Sequence, residues 1–237
     1  MTLPIPQMAL IDLDGTLVDS VPELALCVDA MLRALARPEC GEAAVRLWVG
    51  NGVERLVKRA LTGEFDGEPA SEEFALGLRI FNELYRLQNG RACHLYPGVR
   101  EGLDALAARR IRLGCVTNKP ERFTLPLLEQ FGIRAYFDTV VAGDSLAVKK
   151  PDPGPLLYAA EQLDCPPASA LMVGDSQSDV KAARAAGFHI VCLSYGYNHG
   201  RDIREMNPDA VIDSLSELDG LFADTADQAH SVNGTQS

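Results

Sequence analysis

Short runs of apolar residues alternate along the chain with longer stretches whose apolar positions recur every three or four residues. The runs at 8–13, 112–117, 138–142, 170–173 and 189–193 are apolar almost throughout. Such runs predict strands buried on both faces; a half-solvated sheet would show polar residues at every second position. The stretches at 99–109, 120–131, 155–163 and 178–186 carry helical periodicity. Strands each followed by a helix predict a parallel α/β sheet, Rossmann-like, with right-handed crossovers. One region breaks the alternation. Residues 21–36, 42–61 and 71–89 have helical patterning and no strand between them, with interruptions at Arg37-Pro38 and around 63–69. This predicts a small helical domain inserted after the first strand, entered through 14–20 and left through 90–98. The expected division is a core of 1–18 and 92–224, an insertion of 19–91, and a polar, disordered tail at 225–237.

Composition narrows what this architecture could serve. The chain has 237 residues and is 47% hydrophobic, enough for a sizeable core. Its formal net charge of −11 argues against non-specific nucleic-acid binding and against anionic membrane surfaces, both of which need a basic footprint. An anionic substrate would have to be met by a few local cations, helix N-termini or a metal. The cysteines at 27, 40, 93, 115, 165 and 192 form no CxxC pair, so neither zinc spacing nor a disulfide scaffold is expected. Together with an N-terminus lacking a basic, then apolar leader, they predict a reduced, cytoplasmic protein. No apolar run reaches membrane-spanning length.

In an open α/β sheet, ligands bind beyond the carboxyl ends of the strands, so the residues there are the candidates. The first strand runs into Asp12-Leu13-Asp14-Gly15-Thr16. Side chains at i and i+2 of a strand share a side, and two carboxylates that close repel unless a cation intervenes. The strand at 112–117 ends in Thr117, Asn118 and Lys119, and that at 170–173 in Gly174, Asp175, Ser176 and Asp179. Lys149-Lys150 precedes Pro151 in another loop. Asp12, Asp14 and Asp175 converging from two strands would make a hard oxygen site of the kind Mg²⁺ prefers. Thr117 and Asn118 could hydrogen-bond a phosphoryl oxygen and Lys150 could neutralise another, while a carboxylate can itself attack phosphorus. Ser176 and Asp19 read as helix-start residues, Asp144 as a turn residue, and His94, His189 and His199 as structural. Lys149 and Lys150 are adjacent, so one of the two is expected to face solvent.

These motifs resemble the haloacid dehalogenase superfamily of phosphatases. Asp12 to Leu17 fits that family's DxDGT motif, Thr117-Asn118 its second, Lys150 its third, and Gly174-Asp175 with Asp179 its fourth, over about residues 8–222. The resemblance implies that Asp12 is nucleophile and metal ligand, and that Asp14 is general acid and base with a carbonyl on Mg²⁺. Asp175 would complete the metal site, supported by Asp179, while Thr117, Asn118 and Lys150 would hold the phosphoryl group. The insertion is similar to the family's small cap. Gly50, Asn51 and Gly52 would form a loop over the substrate, with Arg55 a candidate for a substrate carboxylate. The runs at 49–61, 117–123, 149–153, 174–180 and 195–200 are most similar to the phosphoglycolate phosphatase branch. The implied substrate is a small anionic phosphomonoester, acted on by a monomer or homodimer. A sugar-phosphate phosphatase, a β-phosphoglucomutase-like mutase and a binding protein without turnover are the alternatives.

Overall fold

The computed structural model describes residues 2–223; the tail expected at 225–237 lies outside them. Six parallel strands form the central sheet: β1 (Met8–Ile11), β4 (Arg112–Val116), β5 (Thr139–Val141), β6 (Ala170–Gly174), β7 (His189–Leu193) and β8 (Ala210–Ile212), in the order β5-β4-β1-β6-β7-β8. Successive side chains of β1 serve opposite faces, as the strand period requires. Ala9 and Ile11 join Leu113, Cys115, Leu171 and Val173 in one cluster. Met8 and Leu10 join Val116, Met172, Ile190 and Cys192 in the other. Helices α5 (Val99–Ala108) and α6 (Glu121–Gln130) cover the first face, and α7 (Gly154–Gln162) and α8 (Gln177–Ala186) the second. Burial on both faces explains the unbroken apolar runs. Strand β8 escapes the sequence pattern because it is a three-residue edge strand, half-exposed at Ala210 and Val211.

Before α5, the chain that follows β1 holds four helices: α1 (Val21–Ala34), α2 (Gly41–Trp48), α3 (Val53–Thr62) and α4 (Ser71–Gln88). They pack around Val28, Met31, Leu56, Val57, Phe81 and Tyr85, with Phe123 and Tyr197 completing this cluster from the sheet side. The single helix expected over 42–61 is two helices. Gly50 at φ +118° and Gly52 at φ +86° turn the chain between them, conformations that only glycine adopts without strain. The two connectors pair as a short antiparallel ribbon, β2 (Val18–Asp19) with β3 (His94–Leu95). Buried Glu23 accepts the Gly90 and Ala92 N–H groups at 3.0 and 3.1 Å, fastening the return connector to α1.

Strand β1 lies between the strand that follows it on one side and those that return on the other. That is the point at which a crevice opens beyond the strand ends. The helical insertion roofs that crevice.

Candidate active site

The first strand delivers Asp12 in register. Its N–H donates to the Val173 carbonyl at 2.9 Å, continuing the pairing of β1 with β6. Its side chain then turns into the crevice, where Oδ1 accepts the Leu13 N–H at 2.8 Å and lies 2.9 Å from Lys150 Nζ. Oδ2 has no partner among the described residues. Directly after, Leu13 O accepts N–H groups from Thr16, Leu17 and Val18, so the chain coils back tightly. Gly15 makes this possible at φ +86°. It also lets the turn approach β6, since a Cβ there would fall 2.4 Å from Asp175 Oδ2. Gly15→Ala is therefore expected to lower the melting temperature and weaken divalent-cation binding at least about tenfold, as backbone strain adds to a displaced carboxylate. Thermal melts and calorimetric titration check this; wild-type values for both would contradict it.

The loop after β6 builds the second wall. Asp175 is held from two sides, by the Thr16 hydroxyl donating to Oδ1 at 2.7 Å and the Tyr197 N–H donating to Oδ2 at 2.6 Å. Asp179 lies in the first turn of α8 and is fully buried. Its Oδ2 accepts the Asp175 N–H, Ser176 N–H and Ser176 hydroxyl, and its Oδ1 the Lys150 ammonium at 2.7 Å. All its capacity is committed, so it supports the site. Ser176 does stand at the cap position of α8, and its hydroxyl serves Asp179.

Lys150 is the buried cation of this cluster. Its ammonium has three donors, and they reach Asp12, Asp179 and the Val116 carbonyl at 2.7–2.9 Å. Lys149 beside it is half-buried. Oxygens of Asp12, Asp175 and Asp179 all lie within 4.8 Å of one another. Three carboxylates against one ammonium leave two negative charges without local compensation. Burial, more than the neighbouring acids, pushes Asp12 up to about 7; burial and then Asp179 and Asp12 raise Asp175 well above the carboxylate range. A buried site with all-oxygen donors and three carboxylates against one ammonium fits a hard divalent cation.

Asp14 points along the other side of the crevice. Its two oxygens accept the Lys119 ammonium at 2.9 and 3.2 Å. Lys119 also donates to the Tyr85 hydroxyl, brought down by α4. Burial would lower Lys119, but Asp14 and Tyr85 outweigh it and hold the ammonium more firmly charged than usual. Sequence reasoning did not assign a role to Lys119, Tyr85, Thr16 or Tyr197. Lys119 sits directly after Thr117-Asn118 and Thr16 closes the DxDGT run, so both carry a positional signal; Tyr197 has only its place in the 195–200 run, and Tyr85 has none.

Thr117 is buried, and its hydroxyl oxygen accepts the Lys119 N–H at 3.2 Å, while no acceptor among the described residues takes its proton. Asn118 differs from expectation. Its side-chain amide donates to Gly50 O at 3.0 Å and Lys150 O at 2.9 Å, so it latches the roof to the floor, and of its N–H donors only the main-chain one has no acceptor among the described residues. Gly50 and Gly52 line the same cavity as Asp12, Asp14, Thr117 and Lys119. Asn51 instead reaches the start of α8, at 3.4 Å from Ser178 Oγ. Arg55 is not brought to the site: it is held by Glu68 at 2.7 Å, Asp66 at 3.1 Å and Phe65 O at 3.2 Å. The 195–200 loop does reach the site and the roof. His199 pairs with Leu47 O at 2.8 Å, and the Tyr197 hydroxyl accepts the Ser20 and Val21 N–H groups while donating to Asp19.

Comparison with known proteins agrees with this geometry. The family model described as haloacid dehalogenase-like hydrolase matches residues 9–193. A protein of Nitrosococcus oceani named phosphoglycolate phosphatase is 56% identical over 221 residues, covering 93% of this chain and 98% of the relative. One of Nitrosospira multiformis with the same name is 49% identical, covering 94% and 98%. Among solved structures, one described as a predicted phosphoglycolate phosphatase from Haemophilus somnus superposes with a TM-score of 0.86. Its identity is 36%, over 91% of this chain and 97% of that one.

Proposed function

Because the chain belongs to the haloacid dehalogenase-like hydrolases, we propose that it hydrolyses 2-phosphoglycolate to glycolate and phosphate through an aspartyl-phosphate on Asp12. The observation that carries this reading is the contrast between two carboxylates two residues apart. Asp12 has a free oxygen beside a buried acidic cluster, while Asp14 is held by its own lysine on the cavity side. One can attack while the other handles a proton.

In the first step, Asp12 Oδ2 forms a bond to phosphorus as the ester P–O bond breaks. Asp14 delivers a proton to the departing glycolate oxygen. In the second, Asp14 takes a proton from water as that water attacks phosphorus, and the Asp12–phosphorus bond breaks to release phosphate. The Thr117 hydroxyl and the Asn118 N–H would orient the phosphoryl oxygens, and Lys150 keeps Asp12 aimed. Helices α1–α4 would act as the cap that excludes water, with the turn at Gly50 and Gly52 over the substrate. Mg²⁺ held by Asp12, Asp175 and the Asp14 carbonyl would supply the positive charge that lets a carboxylate approach a phosphate dianion. The free cysteines fit a cytoplasmic location. Among the described residues no helix is long and apolar enough to cross a membrane.

Treatment with EDTA is expected to silence phosphate release and Mg²⁺ to restore it, and full activity in chelator would contradict the cation's role. Because Asp12 is held up at about 7 by burial and binds a cation only when deprotonated, Mg²⁺ affinity should weaken as the pH falls below about 7. Calorimetric titration at several pH values reads this directly. The substrate assignment is tested by phosphate release from phosphoglycolate and hexose phosphates, compared as kcat/KM. A preference for a hexose phosphate would move the assignment to the sugar-phosphate class.

A further inference from the structure

The cavity above Asp12 has one cationic lining residue among the described residues, Lys119. Lys150 lies beneath Asp12 with all three donors used, and Arg55 is tied to Glu68 and Asp66. Leu24, Val49, Val53 and Leu56 make up much of the remaining wall. A leaving group rich in hydroxyls would find few partners against them, and buried polar groups left unpaired are costly.

Lys119 stands where a short leaving group must end. Asp14 has to touch the ester oxygen to pass it a proton, within about 2.6–3.2 Å. The Lys119 ammonium is 2.9 Å from Asp14, so a charged group one or two carbons beyond that oxygen comes within its reach. Tyr85 adds a second donor at the same place. It is fully buried, its hydroxyl oxygen accepts from Lys119, and among the described residues no acceptor takes its own proton. A buried hydroxyl lining a cavity with an unused proton calls for an acceptor from the ligand. The N-terminal end of α3, at Gly52 and Val53, turns its positive pole towards the same space.

We infer that Lys119 and Tyr85 together recognise the carboxylate of the leaving group and so restrict the enzyme to phosphomonoesters with an acidic group on a very short carbon chain. This rests on the phosphoglycolate reading above and names the residues that select the substrate. Lys119 comes from the loop after β4 and Tyr85 from α4, so the pair is complete only while the helical roof is closed. A carboxylate bridging them would hold the roof down in the productive position.

The test compares kcat/KM for phosphoglycolate and for ethyl phosphate, which lacks the carboxylate, in wild type and Lys119→Met. The intrinsic leaving-group difference cancels between the two enzymes. Wild type is expected to prefer phosphoglycolate by at least about 100-fold, since a site built to pair a charged group rejects an analogue lacking it. In Lys119→Met both rates fall, because Asp14 loses its partner, but the preference shrinks to below about tenfold. A preference that survives, or rates that fall by one common factor, would overturn the inference and leave Lys119 as a residue that only positions Asp14. Should Lys119→Met not fold, Tyr85→Phe decides the matter. Its preference should drop about three- to tenfold, mainly through KM, and an undiminished preference rejects the pair. Wild type that releases phosphate from neither ester would instead defeat the phosphatase reading, and the inference with it.

Discussion

Asp12→Asn is expected to lower phosphate release by at least about 10⁴-fold while leaving the protein folded, because removing a covalent nucleophile costs nearly all of the chemical acceleration. The amide is far less nucleophilic than the carboxylate, and no other described carboxylate has a free oxygen in the same place: Asp175 is held from both sides and Asp179 is saturated. Stability should hold for a physical reason. The amide oxygen can still accept from Lys150 and from the Leu13 N–H, as Oδ1 does now. The substitution also removes one charge from a cluster that carries an excess of negative charge. In the absence of divalent cation, its melting temperature should therefore equal or exceed that of wild type. Steady-state phosphate release and a thermal melt of the same preparation measure both halves. A variant retaining more than about a hundredth of wild-type kcat would remove Asp12 from its role.

Lys150→Met should show the opposite division, with a large loss of stability accompanying the loss of activity. The ammonium joins Asp12 and Asp179, both buried, and satisfies the Val116 carbonyl at the end of β4. Removing one partner of a buried ion pair costs about 3–5 kcal/mol, because the remaining charges stay buried without compensation. For a chain of this size that corresponds to a fall in melting temperature of roughly 6–20 °C. Turnover should fall by about 10²–10³-fold or more, as Asp12 loses the group that aims it. Added Mg²⁺ should recover part of the stability, since it supplies positive charge to the same carboxylates. A melting temperature equal to wild type without Mg²⁺ would contradict the view that Lys150 holds the acidic cluster together.

The parts of this site that the sequence reveals share one property: each lies next to a strong local signal. Asp12 and Asp14 interrupt an apolar strand, Asp175 follows another, and the glycines beside them announce turns. Lys150 is separable from Lys149 only through the resemblance. What the sequence hides is set by long-range geometry. Tyr85 sits on a helix whose period predicts burial but not which neighbour it meets, and it finds Lys119 34 residues away. Tyr197 reaches back 178 residues to Asp19 and, through its N–H, to Asp175. Asn118 looks like a phosphate donor from its position in the motif, yet two main-chain carbonyls claim its amide. Arg55 has the right charge on a helix that lines the cavity, but acids at 66 and 68 draw it to the outer side. In the fold, helical periodicity runs on through 42–61 because the apolar positions of α2 and α3 stay nearly in phase; only Gly50 and Gly52 mark the break.

The central claim is that an oxygen of Asp12 becomes bonded to phosphorus during turnover. Enzyme mixed with phosphoglycolate and Mg²⁺, quenched in acid within the first turnovers, digested at low pH and mapped by mass spectrometry reads this directly. The phosphoryl mass increment should fall on the peptide containing Asp12, be absent from Asp12→Asn, and be lost on treatment with hydroxylamine, as an acyl phosphate requires. A label on any other residue, or full turnover with no labelled peptide at any quench time, would contradict the account.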